Sequence, residues 1–82
     1  MSELEASAAE PLGAKIKRLR MERNLAQDRL AIEAHIDQSG LSKFERGREK
    51  RMGPAPLGRI AGILGLTLEQ LIAGTDYEGK LR

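Results

Sequence analysis

The chain has 82 residues, 40% hydrophobic and 32% charged, with one His, no Cys and a formal net charge of +2. That length holds one small domain with a marginal core, and the lack of Cys excludes both a disulfide framework and thiolate metal sites. No apolar run is long enough to span a bilayer and no signal-peptide pattern is present, so the expectation is a soluble, cytoplasmic protein stabilised by helix packing or self-association.

Residues 1–10 are Ser, Ala and Glu around Met1 and Leu4, without a sustained apolar face, and read as a flexible acidic arm. Pro11 suits the first turn of a helix, where its missing N–H is not needed. Leu12, Ile16, Leu19 and Arg23 then recur at helical spacing, with Lys15, Lys17, Arg18 and Glu22 on the other faces. This predicts an amphipathic first helix of about three turns, stopped by Asn24. A second, short helix is predicted from Gln27 to Ala34, burying Leu30, Ala31 and Ala34; its N-cap position, Ala26, has no side-chain acceptor. His35-Ile36 is the turn, with Ile36 inward and His35 on the surface. Asp37 caps a third helix over 38–46, with Leu41 and Phe44 inside, and Gly47 ends it.

Residues 48–54 form a loop with three bases and one acid. Pro56 can open a fourth helix with Leu57, Ile60, Ala61 and Leu64 on one face, closed by Gly65. Gly58, Gly62 and Gly65, at i, i+4 and i+7 on that helix, suggest either tight packing or simply low helix propensity. The fifth helix has a capping box in Thr67 and Gln70, with Leu66 and Leu71 at the staple positions, and ends near Ala73. The tail, 75–82, is polar apart from Tyr77 and Leu81. The organisation expected is an arm at 1–10, a compact all-α five-helix domain at 11–74, and a tail at 75–82.

Charge follows this division. Residues 1–11 carry three acids and no base, residues 12–52 eleven Lys/Arg against six Asp/Glu, and residues 53–82 three of each. A basic surplus in one half suits a polyanion, whose phosphates supply most non-specific affinity. No enzyme chemistry is indicated: there is no Cys nucleophile, no metal cluster and no phosphate-cradling Gly loop, and the lone His has no partner set. No cofactor is expected.

The segment Asp37-Gln38-Ser39-Gly40-Leu41-Ser42 begins ten residues after Gln27. With Gln27-Asp28-Arg29-Leu30-Ala31 before it and Phe44-Glu45-Arg46-Gly47 after it, it resembles the helix-turn-helix of the phage-repressor (Cro/C1, or XRE) family. Leu12-Gly13, Ile16, Leu19-Arg20, Leu25, Ile36, Ile60-Ala61 and Leu64-Gly65 also stand where that family has similar residues. The Gln38-Ser39-Gly40 string is similar to the recognition helix of the phage lambda repressor. The resemblance covers residues 12–73 and implies a lambda-repressor-like DNA-binding domain.

It further implies roles for individual residues. Gln38 would enter the major groove and bind an adenine edge through both amide atoms. Gln27 would brace it and contact a phosphate. Ser39, Ser42 and Lys43 would lie near base edges, and Gly40 would allow close approach. Arg46, Arg48, Lys50 and Arg51 would anchor phosphates. Arg20 and Glu45 would form a structural ion pair that touches no DNA. The partners implied are double-stranded DNA and a second copy of the chain, paired through the fifth helix and tail at Leu68, Ile72, Tyr77 or Leu81. The alternatives within the family are an antitoxin, whose partner would be a toxin protein, and a restriction-modification controller protein.

Overall fold

Five helices are present among residues 9–80, the residues described by the computed structural model. They are α1 (Leu12–Glu22), α2 (Gln27–Glu33), α3 (Gln38–Glu45), α4 (Pro54–Ile63) and α5 (Leu68–Ile72). The proposed arm lies outside the described residues for positions 1–8, as does Leu81.

The helices are short because their ends are strongly specified. The first four finish in the same way. A left-handed residue, Asn24, His35, Gly47 or Gly65, follows the C-cap. The next residue then donates back to the carbonyl five positions earlier: Leu25 to Arg20, Ile36 to Ala31, Arg48 to Lys43, Leu66 to Ala61, at 2.8–3.0 Å. This is the Schellman pattern. In three of the four, the returning residue is apolar and packs on the core. His35, at φ 58°, is the unexpected member. It holds a conformation that costs a side chain little only when it is short or polar.

N-termini are specified as well. Asp37 accepts the Gly40 N–H at 3.3 Å, and Thr67 and Gln70 complete the capping box at 2.9 and 3.0 Å. Helix α4 starts at Pro54, two residues before the expected Pro56, with Gly53 as its N-cap. Pro54 and Pro56 both fall in the first turn, where amide hydrogens have no intrahelical acceptor, so neither breaks the helix.

The core consists of Leu12 and Ile16 from α1, Leu30 and Ala31 from α2 with Ala34 after it, Leu41 and Phe44 from α3, Leu57, Ile60 and Ala61 from α4 with Leu64, and Leu71 and Ile72 from α5. Apart from Ile72, these are the positions the apolar spacing selects. Burying a Leu or Ile side chain contributes about 1.5–3 kcal/mol, so the shared core supplies what the short helices lack individually.

Two expectations are refined. Gly58 and Gly62 are exposed and a Cβ at either would meet nothing within 4 Å, which leaves low helix propensity and not tight packing. The contact in question is at Gly13, where a Cβ would lie 1.9 Å from the Phe44 carbonyl oxygen. Secondly, Glu10, assigned to the flexible arm, is held by the fold. Glu10 forms an isolated parallel bridge with Thr75, its N–H donating to Gly74 (3.1 Å) and its carbonyl accepting from Asp76 (3.0 Å). Asp76 also accepts the Leu12 N–H at 3.0 Å, capping α1 from the far end of the chain.

Tyr77 follows from the same packing. Its ring meets Phe44 edge-on at 6.0 Å, and its hydroxyl donates to the Lys50 carbonyl and accepts the Met52 N–H. Of the residues expected to pair two copies, Ile72 is buried, and Leu68 and Tyr77 are half-buried against the core. Among the described residues, the large apolar side chains that do face solvent are Met21 on α1 and Ile32 on α2.

Candidate nucleic-acid interface

The interface is built on α2 and α3, joined by the turn 34–37. The N-terminus of α3 is exposed at Gln38 and Ser39, while Leu41, Phe44 and Glu45 lock its other face to the domain. A helix held by one face and free at its first turn can enter a groove without rearrangement.

Four polar side chains run inward from that first turn. Gln38 Nε2 donates to Gln27 Oε1 at 3.3 Å. Gln27 Nε2 donates to Glu45 Oε1 at 3.0 Å. Glu45 accepts from Arg20 Nε and Nη2 at 2.9 and 3.0 Å in a two-pronged pair. Arg20 Nη1 donates to the Leu25 carbonyl at 2.9 Å. The Glu45 side chain is 1% exposed and that of Arg20 11%, so water does not screen this ion pair. The link from Gln27 to Glu45 was not anticipated. Nothing in local spacing joins residues 18 apart on different helices.

The other predicted base-edge residues are less uniform. The Ser39 hydroxyl donates to the Asp37 carboxylate, which leaves its oxygen lone pairs as acceptors. Ser42 is half-buried and Lys43 is exposed. Gly40 has no neighbour within 4 Å of where a Cβ would stand, so the domain itself does not require glycine there.

Arg46, Arg48, Lys50 and Arg51 are all exposed, on the loop between α3 and α4. That loop is held at both Lys50 and Met52 by the Tyr77 hydroxyl. Lys50 and Arg51 line an open groove of about 570 Å³ with Lys80 and Asp76. Several other bases are committed to the fold. Lys15 donates to the Gln70 and Ala73 carbonyls at 2.8 Å, Arg23 to Leu64 at 3.0 Å, and Arg59 to Ala34 at 2.7 Å. Each meets the carbonyl end of a helix, where a cation is favoured. Lys43, Arg48, Lys50 and Arg51 are exposed and not tied to a helix end in this way. The sequence signal for this was the Lys or Arg itself; its target lay on another helix.

Asp37 supplies a pH dependence. Its carboxyl is held below the usual range by the Ser39 hydroxyl first and the Gly40 amide second. A depressed value means stability that is present above the ordinary carboxylate pKa and lost as pH falls through the folded value. The α3 cap should therefore weaken below about pH 4. Thermal melts from pH 6 to pH 3 should show wild type losing ground to Asp37→Asn, which caps without titrating; parallel curves would remove the effect.

Among the described residues, no group of His, Cys, Asp and Glu could hold a metal ion, and no helix is long and apolar enough to cross a membrane.

Comparison with known proteins gives one consistent result. A family model described as a helix-turn-helix domain matches residues 11–73. A Bacillus subtilis HTH-type transcriptional regulator, RghRB, is 30% identical over 67 residues; the match covers 82% of this chain and 48% of that protein, so the chain spans about half its relative's length. The SinR–SinI protein complex superposes with a TM-score of 0.71 at 26% identity, over 76% of this chain and 60% of the other. SinR, a master regulator for biofilm formation, in complex with DNA superposes with a TM-score of 0.70 at 26% identity, over 74% of this chain and 97% of that one.

Proposed function

Because the chain belongs to the helix-turn-helix domain family, we propose that it is a sequence-specific DNA-binding regulator of transcription, a cytoplasmic repressor that occupies a palindromic operator as a homodimer. The observation that carries this reading is Gln38, exposed at the first turn of α3 with its amide held by Gln27. Its remaining amide oxygen and N–H match adenine N6 and N7. Ser39, Ser42 and Lys43 continue along the base edges. Arg46, Arg48, Lys50 and Arg51 neutralise phosphates, orienting the domain without reading sequence. Gln27 reaches a phosphate while bracing Gln38. That the similar SinR was solved in complex with DNA supports a DNA-binding role. The reading involves no catalytic step and no cofactor.

The test is affinity for single-base operator variants at two salt concentrations, after selection of the operator by footprinting. Gln38→Ala should lose about 1–3 kcal/mol of discrimination at one A·T pair, weakening operator far more than random DNA. Arg51→Ala should weaken binding to all sequences and reduce the salt slope by about one. Equal weakening of operator and random DNA by Gln38→Ala would show that it is not a base reader.

Pairing follows from geometry. One chain offers one recognition helix, and a two-fold pair presents two about one turn, roughly 34 Å, apart. Sedimentation with and without operator should find two chains per palindrome. A single chain saturating a lone half-site with full affinity overturns the dimer.

A further inference from the structure

We propose that Glu45, a buried residue placed away from the DNA surface, is a positioning residue for base specificity: through Gln27 it dictates which way round the Gln38 amide faces the groove. This rests on Gln38 as the base reader.

The proposal follows from donor and acceptor inventory. A carboxylate paired with a guanidinium only accepts hydrogen bonds. Gln27, 3.0 Å from Glu45 Oε1, must therefore turn its NH₂ to Glu45 and its carbonyl oxygen outward. That oxygen can only accept, so Gln38 must present its own NH₂ to it, as it does at 3.3 Å. Gln38 is left with one N–H and its carbonyl oxygen in a set order. A donor beside an acceptor in that order fits adenine N7 and N6; the reverse order sets donor against donor and acceptor against acceptor. An unbraced Gln amide could turn over and lose this distinction. Arg20 completes the device by engaging both carboxylate oxygens and by its hold on the Leu25 carbonyl, which leaves Glu45 a single orientation.

Glu45→Met tests this: the Gln27 NH₂ loses its acceptor, so neither the Gln27 amide nor the Gln38 amide is held one way round. Base preference at the Gln38 pair should fall about tenfold or more, the loss expected of a bidentate contact, and Gln38→Ala serves as the reference. A merely structural role would lower the melting temperature and leave the ratio of affinities among base variants unchanged, provided the assay is run below the melt. An unaltered preference in Gln38→Ala overturns the base-reader assignment and the relay together. An altered preference in Gln38→Ala with an unaltered one in folded Glu45→Met overturns the relay alone. The wild-type protein gives a second readout should Glu45→Met not fold. Scalar couplings across hydrogen bonds, measured by NMR, should connect Gln27 Nε2 to the Glu45 carboxylate carbon and Gln38 Nε2 to the Gln27 amide carbon. A coupling from Gln27 Nε2 to the Gln38 amide carbon instead overturns the proposal.

Discussion

Glu45→Met should lower stability by about 3–5 kcal/mol, because it leaves the Arg20 guanidinium buried without a counter-charge. For a domain this small, that is a fall in melting temperature on the order of 15–30 °C. The Arg20 side chain is 11% exposed and held between Glu45 and the Leu25 carbonyl, so it cannot readily turn out to water. Gln27 loses its acceptor in the same variant. Arg20→Met should cost a similar amount for the converse reason. The double variant should lie well above either single one, since replacing both charges removes the desolvation penalty along with the attraction. Thermal melts of the four proteins decide it. Single variants that melt like wild type would mean that the pair is solvated in solution.

Gly13→Ala should destabilise by about 3 kcal/mol, although Ala is the better helix former by roughly 0.5–1 kcal/mol. The added methyl would lie 1.9 Å from the Phe44 carbonyl oxygen and 2.6 Å from its carbon. Both are backbone atoms of α3, which cannot swing aside like a side-chain tip. Helices α1 and α3 would have to separate, loosening Leu12, Phe44 and the Arg20–Glu45 pair together. The contrast is Gly58→Ala on α4, where no atom lies within 4 Å and helix propensity should act alone, raising stability slightly. Denaturant unfolding of the two variants should move in opposite directions. A neutral Gly13→Ala would mean that the two helices are not in contact as described.

Both effects concern the α1–α3 contact, which also carries the site. Helix α3 presents Gln38 to solvent at one end and is held at the other by Glu45, so the stability of that contact and the aim of the recognition helix have one origin. Tyr77 acts similarly for the loop of bases, joining it to Phe44 on the same helix.

The residues alone determined the five helices, the core face of the first four, the Asp37 and Thr67 caps and the stops at Asn24, Gly47 and Gly65. These depend on neighbours within about four residues along the chain, where spacing and side-chain chemistry suffice. The start of α4 was displaced because Pro54 and Pro56 both satisfy the same first-turn rule. Resemblance placed Arg20 opposite Glu45, and spacing could not have done so. Tertiary structure decided that Gln27 completes the link from Glu45 to Gln38, that Gly13 is the close approach, that Lys15, Arg23 and Arg59 serve helix ends, and that Glu10 and Tyr77 belong to the folded unit. Each depends on how two helices or a helix and a loop meet. That is set by the summed packing of the whole core, and a Lys, Gly or Gln carries no local mark of the partner it will find there.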